Sequence, residues 1–223
     1  MTDLEKEMAE GFYGYGHWSA PYWFIGPEQG QAKDEKDDLG PRLHAWERLG
    51  KPDLADLKDF HDLLEPGKWT REGTPLQKTW RKLMLILLTS LEETADKEDL
   101  RTYQRCKLGR KRGETCLLEL SGLPANSSRI DRDRKTFLQP RILRIAQELK
   151  TNQPRFVVLY GKGHQGDFRE IVGQLPELDE VRFVGSTAVL FTKHTNARKL
   201  SDEHWCGLGK ALSVAAKSTN QKN

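Results

Sequence analysis

Short, continuously apolar runs alternate along this chain with longer amphipathic ones. Tyr22-Trp23-Phe24-Ile25, Thr115–Leu120, Arg155–Tyr160 and Ala188–Thr192 are rich in aromatic, branched and leucine side chains and read as buried strands. A weaker run at Val181–Val184 reads as a further short strand. Helical spacing dominates between them. From Lys78 to about Leu91, the residues Trp80, Leu83, Met84, Leu87, Leu88 and Leu91 mark one wide apolar face. Thr74-Pro75-Leu76-Gln77 precedes it as a capping arrangement, with Thr74 as N-cap and Pro75 at the first helical position. Further helices are expected at about Phe137–Lys150, around Phe168–Gly173, and from Ser201 to about Ala216. Gln31–Asp38 reads as a charged mobile loop and Lys217–Asn223 as a frayed polar tail. Strands alternating with helices predict an α/β fold: a single domain over 1–223, with a central, mostly parallel sheet of four to five strands flanked by helices.

Composition narrows the setting. With 223 residues and 36% hydrophobic content, the chain suits one compact domain. No apolar stretch approaches the ~20 residues of a membrane span, and the acidic start Met1–Glu7 lacks the apolar core of a secretory signal. Cys106, Cys116 and Cys206 are odd in number and form no CxxC pair, which points to a reducing, cytoplasmic setting and to spectator thiols. The net charge of +3 hides an asymmetry. Met1–Glu65 carries 7 Lys/Arg against 15 Asp/Glu, a net of −8, whereas Arg101–Arg144 carries 12 against 4, a net of +8. The basic block includes Arg110, Lys111, Arg129 and Arg134 and is the footprint either of a polyanion partner or of a solvated face.

Chemistry gathers where the predicted strands end. The first strand breaks into Gly26-Pro27-Glu28-Gln29-Gly30, which holds Glu28 on a tight loop at a strand's carboxyl end, where ligands bind in open α/β sheets. The second strand delivers Glu119, Ser121 and Asn126; the third delivers Gly161, Lys162 and His164; the last delivers His194, Asn196 and Arg198. Acids, amides, imidazoles and cations from four segments on one rim point to an enzyme site. Several chemistries drop out. Gly161–His164 lacks the spacing of a phosphate-binding P-loop, no HExxH or paired carboxylates suggest a metal, and no Gly-x-Ser-x-Gly elbow is present. Glu114 and Glu119, five residues apart, would face opposite sides of a strand.

The order of these motifs resembles the uracil-DNA glycosylase superfamily from about Tyr22 to Gly209. Phe24–Gly30 takes the place of that family's first motif, with Glu28 on its catalytic Asp or Asn position. Leu190–Ser201 resembles its last motif, with His194 on the histidine and Asn196–Arg198 on the DNA-penetrating loop. Phe156–Gly161 resembles its internal strand ending in glycine, and Thr115–Leu120 falls on the strand that ends in the base-reading Asn. The chain departs from the pattern at Pro27, Gln29, Thr195 and Glu119, the last of which replaces the base-reading Asn. Three cysteines are one short of the family's iron–sulfur branch, so no cofactor is expected. The resemblance implies a glycosylase-like fold and a monomer that excises uracil or another deaminated base from DNA. Glu28 and His194 would be catalytic; Gly26, Pro27, Gln29, His44, Glu119 and Asn126 would surround the base. Gly161, Lys162, Asn196, Arg198, Arg110, Lys111, Arg129 and Arg134 would follow the DNA.

The side chains suit that reaction. A carboxylate stabilises an oxocarbenium and orients water, and an imidazole that donates to the departing base stabilises its negative charge. A flipped base needs an aromatic wall and a wedge in the vacated stack; His44 or Trp46 could supply the wall and Arg198 the wedge. Two other classes stay open: a nucleic-acid-binding module without catalysis, and a hydrolase or transferase that uses Gly161–His164 on a small phosphorylated substrate.

Overall fold

A computed structural model describes residues 1–27, 35–124 and 130–220, with side chains described for 1–27, 39–124 and 136–217. The described elements run α1 (Asp3–Gly11), β1 (Gly14–Tyr15), β2 (Tyr22–Gly26), α2 (Glu35–Arg48), β3 (Leu54–Ala55), α3 (Leu57–Leu64), α4 (Lys78–Ser90) and α5 (Lys97–Cys106). They continue with β4 (Thr115–Glu119), α6 (Ile130–Asn152), β5 (Phe156–Tyr160), a 3-10 turn (Lys162–His164), α7 (Gln165–Val172), β6 (Val181–Val184), β7 (Thr187–Thr192) and α8 (Asp202–Asn220).

The fold is α/β, and its sheet is larger than the sequence predicts. Seven described strands, not four to five, pair in the order β3-β1-β4-β2-β5-β7-β6. The middle four, β4-β2-β5-β7, are parallel, and β1 and β6 pair antiparallel with β4 and β7, which makes the sheet mixed. β1 and β3, two residues each, are too short to show a period, and glycine flanks Tyr15 on both sides. Each parallel strand is buried along its whole length, because helices cover both faces. Alternate residues divide between two cores. Tyr22, Phe24, Leu117, Val158 and Leu190 pack with α4 and α8, whereas Trp23, Ile25, Leu118, Leu159 and Phe191 pack with α6 and α7. Gly209 lets α8 close on α4: a Cβ there would lie 2.4 Å from the Ile86 carbonyl.

Several local expectations change. Gln77, not Thr74, caps α4: its side chain accepts from the Trp80 N–H at 2.7 Å. The Thr74 hydroxyl instead donates back to the Arg71 carbonyl. Residues 35–38, expected in a mobile loop, open α2, and the expected frayed tail is helical through Asn220. Four further helices, α1, α2, α3 and α5, lie outside the expected set; they are short and rich in charged residues. Among the described residues no helix is long and apolar enough to cross a membrane.

β2 is the switch point of the sheet. The next parallel strand in sequence, β4, lies on one side of it and the one after, β5, on the other, so the connections diverge above its carboxyl end. Such divergence opens a crevice outside the strand ends.

Candidate functional site

The carboxyl ends of β4, β2, β5 and β7 lie side by side. In register, Glu119 stands beside Gly26, and Tyr160 beside Thr192, two residues before His194. The Leu120 and Ser121 N–H groups donate to the carbonyls of Gly26 and Pro27 at 2.9 and 3.0 Å, so the loop leaving β4 is tied to the loop leaving β2. The Gly161 N–H donates to the Thr192 carbonyl at 3.0 Å and joins the ends of β5 and β7. Gly161 takes φ +128°, a backbone conformation that favours glycine, and a Cβ there would only touch Pro27 Cδ at 3.4 Å.

Tyr160, the last residue of β5, also belongs to this rim. It leans over Gly26: a Cβ on Gly26 would meet its ring at 2.2 Å and its hydroxyl at 2.3 Å. The missing side chain at Gly26 is therefore the space Tyr160 occupies. Burial raises the phenol's pKa, and the nearby Glu119 carboxylate raises it further, so Tyr160 stays protonated. Its ring centroid lies 5.8 Å from that of His194.

His194 is half-buried on the turn after β7. Its Nδ1 accepts the Asn196 N–H at 3.1 Å, and the Ala197 N–H donates to its carbonyl at 2.8 Å. Burial, then Lys82 and His164, lower its pKa. A neutral ring whose Nδ1 accepts carries its proton on Nε2, which leaves one donor to offer a ligand. Lys82 of α4 reaches under the turn and donates to the Thr195 carbonyl, and its Nζ lies 5.4 Å over the Trp205 ring. The α4 to α8 connection is tied beside it by Arg81, which grips Asp202 with both terminal nitrogens. His164 donates from Nδ1 to Asp167 at 2.9 Å.

Arg141 of α6 fixes the other half of the rim from below. Fully buried, it donates to the Glu119, Leu120 and Ala9 carbonyls at 2.8, 2.9 and 3.0 Å, and its guanidinium lies 4.3 Å over the Tyr13 ring. Burial pulls its pKa down to about 10, still well above neutrality, so it remains a cation. Neither Arg141 nor Lys82 could be singled out from sequence, since each acts from a helix distant in the chain.

The chain matches no protein-family model, and no curated protein matches it significantly.

The rim gathers Gly26, Pro27, Glu119, Gly161 and His194, with Lys162, Asn196 and Arg198 exposed on the adjoining turns. Glu28, Gln29, Asn126 and Arg129 lie outside the described residues, as does the side chain of Arg134 within α6. His44 is exposed on α2, whereas Trp46 is a core residue whose indole N–H donates to the Pro52 carbonyl at 2.8 Å. Trp46 therefore supplies no wall. Arg110 and Lys111 do not join the rim. They precede Thr115, at the end of β4 opposite Glu119, and Arg110 pairs with Asp56 at 2.8 Å. Among the described residues no three His, Cys, Asp or Glu side chains are placed to hold a metal ion.

Proposed function

We infer that the rim hydrolyses the N-glycosidic bond of a deaminated base, uracil among the candidates, in DNA. The observation that carries this reading is His194: an imidazole with lowered pKa whose Nδ1 is occupied and whose Nε2 has no hydrogen-bond partner among the described residues, beside the switch point of the parallel strands. A neutral donor suits a departing base anion, because it stabilises developing charge without first having to give up a strong partner. Tyr160 and Glu119 add a hydroxyl donor and a carboxylate acceptor beside it, a pair able to read a base edge. Glu28, one residue beyond Pro27 on the loop that leaves β2, is assigned the task of stabilising the sugar cation and orienting water. Asn196 and Arg198, exposed on the turn that carries His194, are assigned to the DNA strand around the flipped base.

The test is incubation of the full chain with oligonucleotides that contain uracil, hypoxanthine or xanthine, followed by alkali to break abasic sites. Strand breaks at one of these bases are the expected result. Intact strands for all three, with retained DNA binding, would return the rim to a binding module. Intact strands together with turnover of a nucleoside phosphate would favour a hydrolase built on Gly161–His164.

A further inference from the structure

The basic block that precedes β4 has a place of its own. Residues 107–114 form a loop at the end of the sheet opposite the rim, and an open cleft of about 660 Å³ is lined there by Asp56, Lys107, Arg110, Lys111, Arg112 and Glu114, among others. The loop is rigidly held. The Gly109 N–H donates to the Thr115 hydroxyl at 2.8 Å, the Leu57 N–H to the Gly109 carbonyl at 3.0 Å, and His17 Nε2 to the Gly113 carbonyl at 2.6 Å.

The acids of the cleft are committed. Asp56 caps α3 by accepting from the Lys58 and Asp59 N–H groups, takes the Lys111 N–H at 3.0 Å, and pairs with Arg110. Glu114 accepts the Tyr103 hydroxyl at 2.7 Å. The remaining cations are not committed. Lys107, Lys111 and Arg112 are exposed, and among the described residues none of them has an ion-pair partner. The Lys107 ammonium faces the Tyr103 ring at 5.6 Å.

We propose that this cleft is a second nucleic-acid contact, separate from the rim, which holds backbone phosphates of a strand through Lys107, Lys111 and Arg112. Three spare cations on a loop whose backbone is already fixed meet phosphate charge at little ordering cost. A site for a free nucleotide would offer an apolar or aromatic wall to its base; the described side chains that line this cleft are mostly charged, and none of them is aromatic. The strand therefore needs no particular base here, and the contact does not depend on base excision at the rim.

The experiment uses the full chain and a fluorescent ten-nucleotide strand of ordinary bases, so that success or failure of excision does not enter. Anisotropy titrations across a salt series are compared for the wild type, Lys111→Glu/Arg112→Glu and the milder Lys111→Gln/Arg112→Gln, each checked for native circular dichroism. The charge reversal should weaken binding at least ~10-fold, and both doubles should flatten the log–log salt dependence by about 1.4, at ~0.7 per lost contact. Hydrogen exchange should slow over 107–113 when the strand binds the wild type. Affinity within two-fold of wild type in both doubles, or an unchanged salt slope, would overturn the proposal. Competition separates the two sources of phosphate. Displacement of the strand by ATP or inorganic triphosphate only at concentrations far above the strand's own supports the strand assignment; equal or tighter binding of either overturns it.

Discussion

At the carboxyl ends of β4, β5 and β7, Glu119, Tyr160 and His194 are buried or half-buried and closely held; ahead of β4, at the other end, the acids are already engaged and the uncommitted groups, Lys107, Lys111 and Arg112, are exposed cations. His194 is fixed by the Asn196 N–H, and Glu119 by Arg141 through its carbonyl, whereas Lys111 and Arg112 extend into solvent from a loop whose backbone alone is fixed. On the proposed function and the proposed second contact, the difference separates two kinds of recognition. A site that must distinguish and polarise one group needs neutral donors fixed in a partly dry place, where each interaction is strong. A site that tracks a polyanion needs only charge, and long solvated side chains supply it.

The comparison can be broken most severely through Arg141. Arg141→Met should cost about 3 kcal/mol or more, since three buried carbonyls lose their donor; urea denaturation measures this, and a loss under about 1 kcal/mol would show that the rim is held by other means. Gly26→Ala comes next. A Cβ 2.2 Å from the Tyr160 ring forces that ring aside, for an expected cost of about 1–3 kcal/mol. The Gly26→Ala/Tyr160→Ala double should lose less than the sum of the single changes, and strict additivity would mean that the two do not share a space.

A third test concerns exclusion of charge from the core. His61 packs against Trp80 and Tyr15 with ring centroids 5.2 and 5.5 Å away, and burial pushes its pKa down to about 3. Because the folded value lies below the ordinary one, the unfolded chain binds the extra proton. Stability is therefore retained above about pH 6.5 and lost as pH falls toward 3, at up to about 1.4 kcal/mol per pH unit. His61→Gln should flatten that slope in acid denaturation; an unchanged slope would assign it to other groups. The smallest effect belongs to the opposite end. Lys111→Ala/Arg112→Ala should leave the melting midpoint within about 2 °C of wild type. A larger fall would show that these cations hold the loop rather than wait for a ligand.

The same contrast explains what the sequence revealed. The four central strands were legible because each is buried on both faces and so continuously apolar, and their ends named Gly26, Glu119, Gly161 and His194 together. The basic block was legible as composition, but its place was not. Residues 107–114 precede the expected strand that ends at Glu119, but only the parallel pairing of β4 beside β2 puts Glu119 on the rim and the block at the opposite end of the sheet. Tyr160 was hidden because a rim phenol and a core aromatic look alike at the end of Phe156–Tyr160. Lys82 and Arg141 were hidden because their tasks depend on helix packing, which no local pattern encodes. The strands β1 and β3 fell below the length at which alternation can be read.

The central claim is that His194 gives its Nε2 hydrogen bond to a departing base, and the leaving-group dependence of His194→Ala tests it most directly. Single-turnover release is measured on strands that carry uracil, hypoxanthine or xanthine, for the wild type and the variant, at saturating protein. The account predicts a loss of about 10²–10³-fold, the usual cost of removing one preorganised donor to a developing anion, and a loss that grows as the base becomes a poorer leaving group. Equal losses for all bases, matched by weaker strand binding, would contradict it and leave His194 as a residue that only positions the DNA.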